Sequence, residues 1–308
     1  MRKVIGIGET VLDIIFKDNQ PQKAVPGGSV FNCLTSLGRL DVPVQFVSEL
    51  GDDSVGDIIR AFMQENKIDA SYVERFSSTK SPISLAFLND KNDASYTFYK
   101  DSPKQRIGSP LPSIAEDDLF IYGSYYALNP LIRSRMTDFL SYAKQHNAIL
   151  YYDPNFRLSH ANEAIKLHNS FIENFEFADI VRGSDEDFAN IYREENIERM
   201  YRNNIRYYCP YLIVTHAGKG VHLYTPTFQK HIEVSPIQTI STIGAGDNFN
   251  AGMLYGLIKH GVKKADLPNL SLDVWEDIIR CGIAFASEVC QSYDNYISTS
   301  FAQSYRKS

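Results

Sequence analysis

Residues 241–252 read STIGAGDNFNAG. Gly244, Ala245 and Gly246 carry little or no side chain, so their backbone N–H groups can come close to an anion. An apolar pattern follows at helical spacing: Phe249, Met253, Leu254 and Leu257. It makes the glycines the mouth of a helix and aims the helix's positive end at the same point. Such a nest holds a phosphate without a lysine. Asp247 then stands where a carboxylate could accept the proton of a hydroxyl that attacks phosphorus. In the other reading Asp247 merely caps the helix, as aspartates often do. The residue type fits both, but only the first accounts for the glycines ahead of it.

The surrounding elements decide whether such a loop lies at a site. KVIGIGE reads as a short buried strand, and SVFNCLTSLGRL as a helix with Val30, Cys33, Leu34 and Leu37 on one face. VQFVSEL is a strand. GDDSVGDIIRAFMQENKI opens with a capping aspartate and puts Val55, Ile58, Ile59, Phe62 and Met63 on one helix face. Strands follow at DLFIYGS, AILYYD, ADIVRGS and YLIVTHAG, with helical patterns between most of them. This alternation predicts an α/β fold, a doubly wound, mostly parallel sheet flanked by helices.

Two segments lack helices of their own, about 11–27 and 82–105, the second with a hairpin turn at NDKNDA. They predict a small antiparallel β lid on one domain spanning 1–308. Ligands of open parallel sheets bind beyond the carboxyl ends of the strands. That singles out Glu9 to Asp13, Gly27-Gly28, Asp153 to Arg157, Ser184 to Asp187, Thr215 to Gly220 and the opening stretch.

Other chemistries are missing. There is no G-x-x-x-x-G-K-[ST], no H-E-x-x-H and no G-x-S-x-G; Gly6 and Gly8 begin a dinucleotide fingerprint that fails at Val11. Seven scattered histidines and four cysteines without a C-x-x-C show no zinc spacing. A net charge of −6, with no basic run longer than two residues, argues against a nucleic-acid partner. No apolar window approaches the ~18 residues of a membrane span. Glycines and acidic residues break up the apolar N-terminus, which reads as a core strand and not as a leader. The expectation is a cytoplasmic protein with reduced thiols.

STIGAGDNFNAG resembles the C-terminal signature of the ribokinase-like (PfkB) carbohydrate kinases, D-T-x-G-A-G-D-x-F-x-x-G. PGGSVFNCLTSLGRLDVPVQFVSELGDDSVGD is similar to their N-terminal one. The resemblance implies Asp247 as catalytic base and Gly244, Ala245 and Gly246 as the anion hole. It implies Asp13, Gly27, Gly28 and Asn32 as sugar-binding residues. VTHAGKGVHLY resembles the family's T-x-G-x-x-G nucleotide loop, with Ala217 in place of the first glycine. Thr215, Gly218 and Gly220 would then line ATP, with Ser184, Gly244 and Gly246. VRGSDEDF stands where the family shows N-x-x-E, so Asp187 would organise Mg²⁺ through water.

Two departures stand out. Ser241 replaces the aspartate that helps hold K⁺ in potassium-activated members, which puts K⁺ activation in doubt, and ASEVCQSYDNY lacks the usual Gly-Ala of the adenine pocket. GETVLDII and YDPNFR lean toward the fructokinase branch, and Arg157 could face an anionic substrate or the transferring phosphate. Phe98 or Tyr99 of YTFYK would cover the sugar. The expected activity is ATP-dependent phosphorylation of a primary hydroxyl of a monosaccharide, fructose first. Ribose, 2-keto-3-deoxygluconate or a nucleoside are the alternative acceptors, and a sugar-binding regulator without turnover is the rival. The exposed sheet edge of the lid favours a homodimer.

Overall fold

The computed structural model describes residues 2–89, 94–100 and 107–307. The centre of the expected turn, 90–93, and the end of the lid segment, 101–105, lie outside the described residues. The chain opens with β1 (Val4–Ile7), then a hairpin of β2 (Val11–Lys17) and β3 (Gln20–Gly27). Next come α1 (Ser29–Arg39), β4 (Val44–Gly51), α2 (Ser54–Glu65) and β5 (Ile68–Phe76). A second hairpin-like pair, β6 (Ile83–Leu88) and β7 (Ala94–Tyr99), precedes β8 (Leu119–Gly123), α3 (Arg133–Gln145) and β9 (Ile149–Asp153). Then follow α4 (His168–Phe177), β10 (Ile180–Ser184), α5 (Asp185–Tyr192) and the short α6 (Ile197–Met200). The chain ends with β11 (Leu212–Thr215), β12 (Val221–Tyr224), β13 (Gln229–Ile232), α7 (Ala245–Lys259), α8 (Leu272–Cys290) and α9 (Thr299–Tyr305).

The main sheet runs β13-β12-β11-β10-β9-β8-β1-β4-β5, parallel except for the antiparallel pairs β11–β12 and β12–β13. From β1 the chain winds one way through β4 and β5 and then the other way through β8 to β11. This reversal is where doubly wound sheets open a crevice. Alternate residues serve opposite faces, as the pleat demands. In β9, Ile149 and Tyr151 pack under α1, α7 and α8, whereas Leu150 and Tyr152 pack under α3 and α4. The sequence gives β5 little apolar emphasis because it is an edge strand, mostly half-buried. Asp53 caps α2 as expected, its Oδ1 accepting from the Gly56 amide at 2.8 Å. Ile58, expected on the buried face of that helix, is 49 % exposed; Gly56, Ile59 and Met63 form the face that meets the sheet.

The four lid strands form a separate sheet in the order β3-β2-β6-β7. Each hairpin pair is antiparallel, and the two are joined by a parallel pairing of β2 with β6. Ile15, Val25 and Ala86 form a small core of their own there. On the other side, α7 and α8 cross closely at a glycine: a Cβ at Gly252 would lie 2.3 Å from the Cys281 carbonyl oxygen. The last glycine of STIGAGDNFNAG is therefore a packing residue, holding the helix that carries Asp247 at a set depth. Among the described residues, no helix is long and apolar enough to cross a membrane.

Candidate active site

α7 begins at the crevice. Gly244 takes a left-handed conformation, φ 74°, and a Cβ there would meet the Asn295 carbonyl oxygen at 2.7 Å, so glycine is required on both counts. Asn248 locks the turn. Its Nδ2 donates to the carbonyls of Gly244 and Asn295, at 2.8 Å each, and its Oδ1 accepts from Ser36 Oγ. The Ala245 amide leans on the Thr242 carbonyl at 3.3 Å. The amides of Gly246 and Asp247 lie in the first turn, where no intrahelical acceptor exists.

Asp247 does not cap its own helix. Its carboxylate turns across to α1 instead: Ser29 Oγ donates to Oδ1 and Asn32 Nδ2 to Oδ2, both at 2.8 Å. Asn155 Nδ2 donates to Ser29 Oγ at 2.9 Å, so the hydrogen bonds that hold the carboxylate reach beyond α1. Burial pushes the Asp247 carboxyl up to about 6, against the pull of Asn32 and Ser29. Asp13, on β2 of the lid, also stands at about 6 through burial, opposed by its hydrogen bonds from Ser84 and Asn295. A Cβ at Gly27 would lie 2.2 Å from Asp13 Oδ2, and one at Gly28, φ 132°, would lie 2.3 Å from the Glu9 carbonyl oxygen. Asp13, Gly27, Gly28, Asn32 and Asp247 thus converge where β2 and β3 meet α1 and α7.

Beneath this group lies a buried ion pair that no motif announces. Asp153 ends β9 and Arg182 sits on the neighbouring β10; the parallel register puts both on the α7 side of the sheet. Arg182 Nη1 donates to Asp153 Oδ2 at 3.0 Å, and Nη2 to Thr215 Oγ1 at 2.6 Å. Asn250 Nδ2 adds a bond to Asp153 Oδ2 at 2.6 Å. Burial works against the Arg182 charge, but Asp153, Tyr151 and Asp187 together more than offset it, so the guanidinium stays above its ordinary pKa. A Cβ at Gly246 would lie 2.9 Å from Arg182 Nη1. The guanidinium therefore underlies the glycine loop, and Gly246 leaves room for it.

The remaining expected residues are spread along the same sheet end. Arg157 is exposed; its charge reaches Asp247 and favours the ionised carboxylate. Ser184 and Asp187 form a capping box on α5: the Ser184 amide and Oγ both donate to Asp187 Oδ2, at 2.8 and 2.7 Å. The Thr215 hydroxyl is engaged by Arg182. Gly218 faces open space, while Gly220, φ 112°, fits tightly against His231 and the Ile232 carbonyl. Ala217 holds a φ of 48°, the left-handed conformation that explains the glycine usual at that place. Ser241 is buried, its hydroxyl accepting from the Ile243 amide at 3.2 Å.

Phe98 and Tyr99 are 53 % and 55 % exposed on the lid. Three histidines scattered in sequence, His216, His222 and His231, meet at the β11–β13 edge. Among the described residues no group of three histidines, cysteines or carboxylates is arranged to hold a metal ion.

Ser29, Arg182 and Asn295 are the site residues missing from the sequence reading. Arg182 left a trace, a charge inside the otherwise apolar strand IVRGS. Ser29 and Asn295 left none.

Fold and site define an open α/β protein with a buried carboxylate at the mouth of a glycine-led helix, covered by a β lid. The description "pfkB family carbohydrate kinase" matches residues 1–301. The chain belongs to that family of carbohydrate kinases. It is similar to the fructokinase of Klebsiella pneumoniae, 26% identical over 266 residues, covering 84% of this chain and 86% of that one. It is also similar to a probable fructokinase-4 of Arabidopsis thaliana, at 22% over 271 residues, covering 83% and 82%. The structure of fructokinase from Vibrio cholerae O395 with fructose, ADP and calcium superposes with a TM-score of 0.83 at 19% identity, covering 99% of both chains. That of aminoimidazole riboside kinase from Salmonella enterica gives 0.79 at 19%, again over 99% of both. At such identities these two likenesses establish the fold.

Proposed function

We propose that the protein transfers the γ-phosphoryl group of ATP to a primary hydroxyl of a neutral monosaccharide, with fructose as the first acceptor to test. One observation carries this reading. Asp247 is buried and held by Ser29 and Asn32, and it stands in the first helical turn whose free amides suit a phosphate. A binding protein has no chemical need for an ionisable group there. The fructose-bound and ADP-bound state of the Vibrio cholerae relative supports the choice of substrates.

In the reaction, Asp247 accepts the proton as the sugar oxygen bonds to the γ-phosphorus and the bridging β–γ P–O bond breaks, releasing ADP. The free amides of the first turn, made accessible by Gly244, Ala245 and Gly246, take up charge on the phosphoryl oxygens. Asp13, Asn32 and the Gly27-Gly28 backbone hold the acceptor, and the lid excludes water. Thr215, Ser184, Gly218 and Gly220 line the nucleotide, with Arg157 at the phosphates. The donor set suits a hydrated Mg²⁺: Asp187 Oδ2 is committed to Ser184, which leaves one carboxylate oxygen for a cation held through water. Bound there, Mg²⁺ would neutralise phosphate charge. Ser241 offers no carboxylate for K⁺, and its hydroxyl serves a local turn.

ADP release with Mg-ATP against fructose, ribose, 2-keto-3-deoxygluconate and adenosine tests the reading. Turnover of one sugar is expected; sugar binding without any transfer would make the protein a regulator instead. The rate should also fall at low pH, because Asp247 must be ionised to accept a proton. With Asp247 and Asp13 both near 6, kcat/KM should level off above about pH 7. Below 6 it should drop roughly ten- to a hundredfold per pH unit. A flat profile from about pH 5 to 8 contradicts the base assignment.

The lid also presents Phe87, Phe98 and Tyr99 to solvent, and β7 ends its sheet. A second copy of the chain would cover both, so a homodimer is expected by sedimentation equilibrium at micromolar concentration, and a monomer there rules it out. The free thiols of Cys33, Cys209, Cys281 and Cys290 fit a reducing, cytoplasmic location, which cell fractionation checks.

A further inference from the structure

We propose that Asn295 reads a hydroxyl of the phosphoryl acceptor and is a specificity-determining residue of this site, an inference that rests on the kinase reading above. Asn295 lies in the segment between α8 and α9, far in sequence from Asp13, yet its Nδ2 donates to Asp13 Oδ2 at 3.3 Å. The carboxamide can only face this way, since its oxygen would otherwise meet a carboxylate. Its Oδ1 is therefore turned from Asp13, and it is buried without a hydrogen-bond partner. Asn32 repeats the arrangement at the other carboxylate: Nδ2 is spent on Asp247 and Oδ1 is buried and unpartnered.

Each acid of the site is thus held by one carboxamide that keeps an acceptor oxygen in reserve. A buried acceptor without a donor is unfavourable, and few survive in folded proteins without a purpose.

Asn295 is well placed for that purpose. It is 1 % exposed. A Cβ on Gly27 would lie 3.3 Å from its Nδ2, and one on Gly244 would meet its carbonyl oxygen, so it sits between the sugar-binding turn and the anion loop. Its backbone is fixed by the bond from Asn248 Nδ2 at 2.8 Å, which keeps the carboxamide from swinging away. The groups that satisfy a carboxamide oxygen beside a carboxylate are donors. A polyol offers them on adjacent carbons, one hydroxyl to Asn295 Oδ1 and one to Asp13. A carboxylate or phosphate on the acceptor offers none and would face Asp13 and Asp247. The end of the acceptor held here is therefore uncharged and hydroxylated.

The test compares Asn295→Ala with the wild type on D-fructose and on its deoxy analogues, each lacking one hydroxyl. With fructose, kcat/KM should fall about tenfold or more, mainly through KM, while KM for ATP stays within about twofold. One deoxy analogue should be as poor for the wild type as fructose is for the variant, and no poorer for the variant. That lack of additivity identifies the hydroxyl that Asn295 reads. If Asn295 only props Asp13, the variant loses the same factor on every sugar, and the assignment is overturned. Asn295→Ser, which keeps a small polar group, repeats the comparison if the alanine variant fails to fold. An inactive wild type on every sugar would overturn the kinase reading along with this one; an active wild type with a uniform loss overturns only the role of Asn295.

Discussion

Replacing Asp247 by asparagine is expected to lower kcat by ~10²–10⁴ while the protein stays folded and becomes more stable. The loss follows from chemistry: asparagine keeps the size and one acceptor oxygen but cannot take a proton from the attacking hydroxyl. The stability gain follows from burial. The Asp247 carboxyl stands at about 6 in the folded protein, above its ordinary 3.8. Between those values the folded protein holds a proton that the unfolded chain has lost, so this group's contribution to stability falls as pH rises through that window. Above about pH 7 the ionised carboxylate is a standing cost of at most about 3 kcal/mol.

Asn32 can still donate to an asparagine oxygen. Ser29, however, already accepts from Asn155 and would now meet a second donor, so the gain falls short of that limit. Urea unfolding of both proteins from pH 4 to 8 checks the sign. The variant should draw ahead between about pH 4 and 6 and hold its lead above. A variant less stable than wild type at pH 7, or one retaining more than about a tenth of the turnover, would sink this account of Asp247.

The second large effect lies one layer down. Arg182→Met should cost about 3–5 kcal/mol of stability, because it leaves Asp153 charged and buried with its cation gone. Both side chains are nearly inaccessible, 6 % and 3 %. Three further contacts go with the guanidinium: the bond to Thr215, the position over the Phe249 ring at 5.2 Å, and the support under Gly246. Asn250 and the Asn155 amide still hold Asp153, which limits the damage. Arg182→Lys restores the charge but cannot reach Asp153 and Thr215 together, and should recover more than half of the loss. Denaturant midpoints of the three proteins decide it. A methionine variant within about 1 kcal/mol of wild type would mean that the pair contributes nothing and that Asp153 is held by its amide donors.

Much of the architecture was legible because it rests on local periodicity. The short apolar runs of β1, β8 and β9, buried on both faces, and the helical spacing of apolar residues in α1 and α7 need only the order of residues along the chain. The glycine loop was legible for the same reason, since its glycines, its helix and Asp247 are contiguous. The lid was readable as four strands without helices, but the parallel pairing of β2 with β6 was not. That contact joins segments separated by α1, α2 and the strands between them, and no short-range pattern specifies it.

The order of residues along the chain suffices for the alternating sheet, the glycine-led helix and the carboxylate in its first turn. The partners of that carboxylate come from packing: Asp247 leaves its own helix uncapped and accepts from Ser29 and Asn32 on α1. In the same way, Arg182 neutralises Asp153 from the neighbouring strand, and Asn295 reaches Asp13 from the other end of the chain. One rule covers all three. Buried polar groups must find partners, and the partner is whichever group the packing of strands and helices brings within about 3 Å, however distant in sequence.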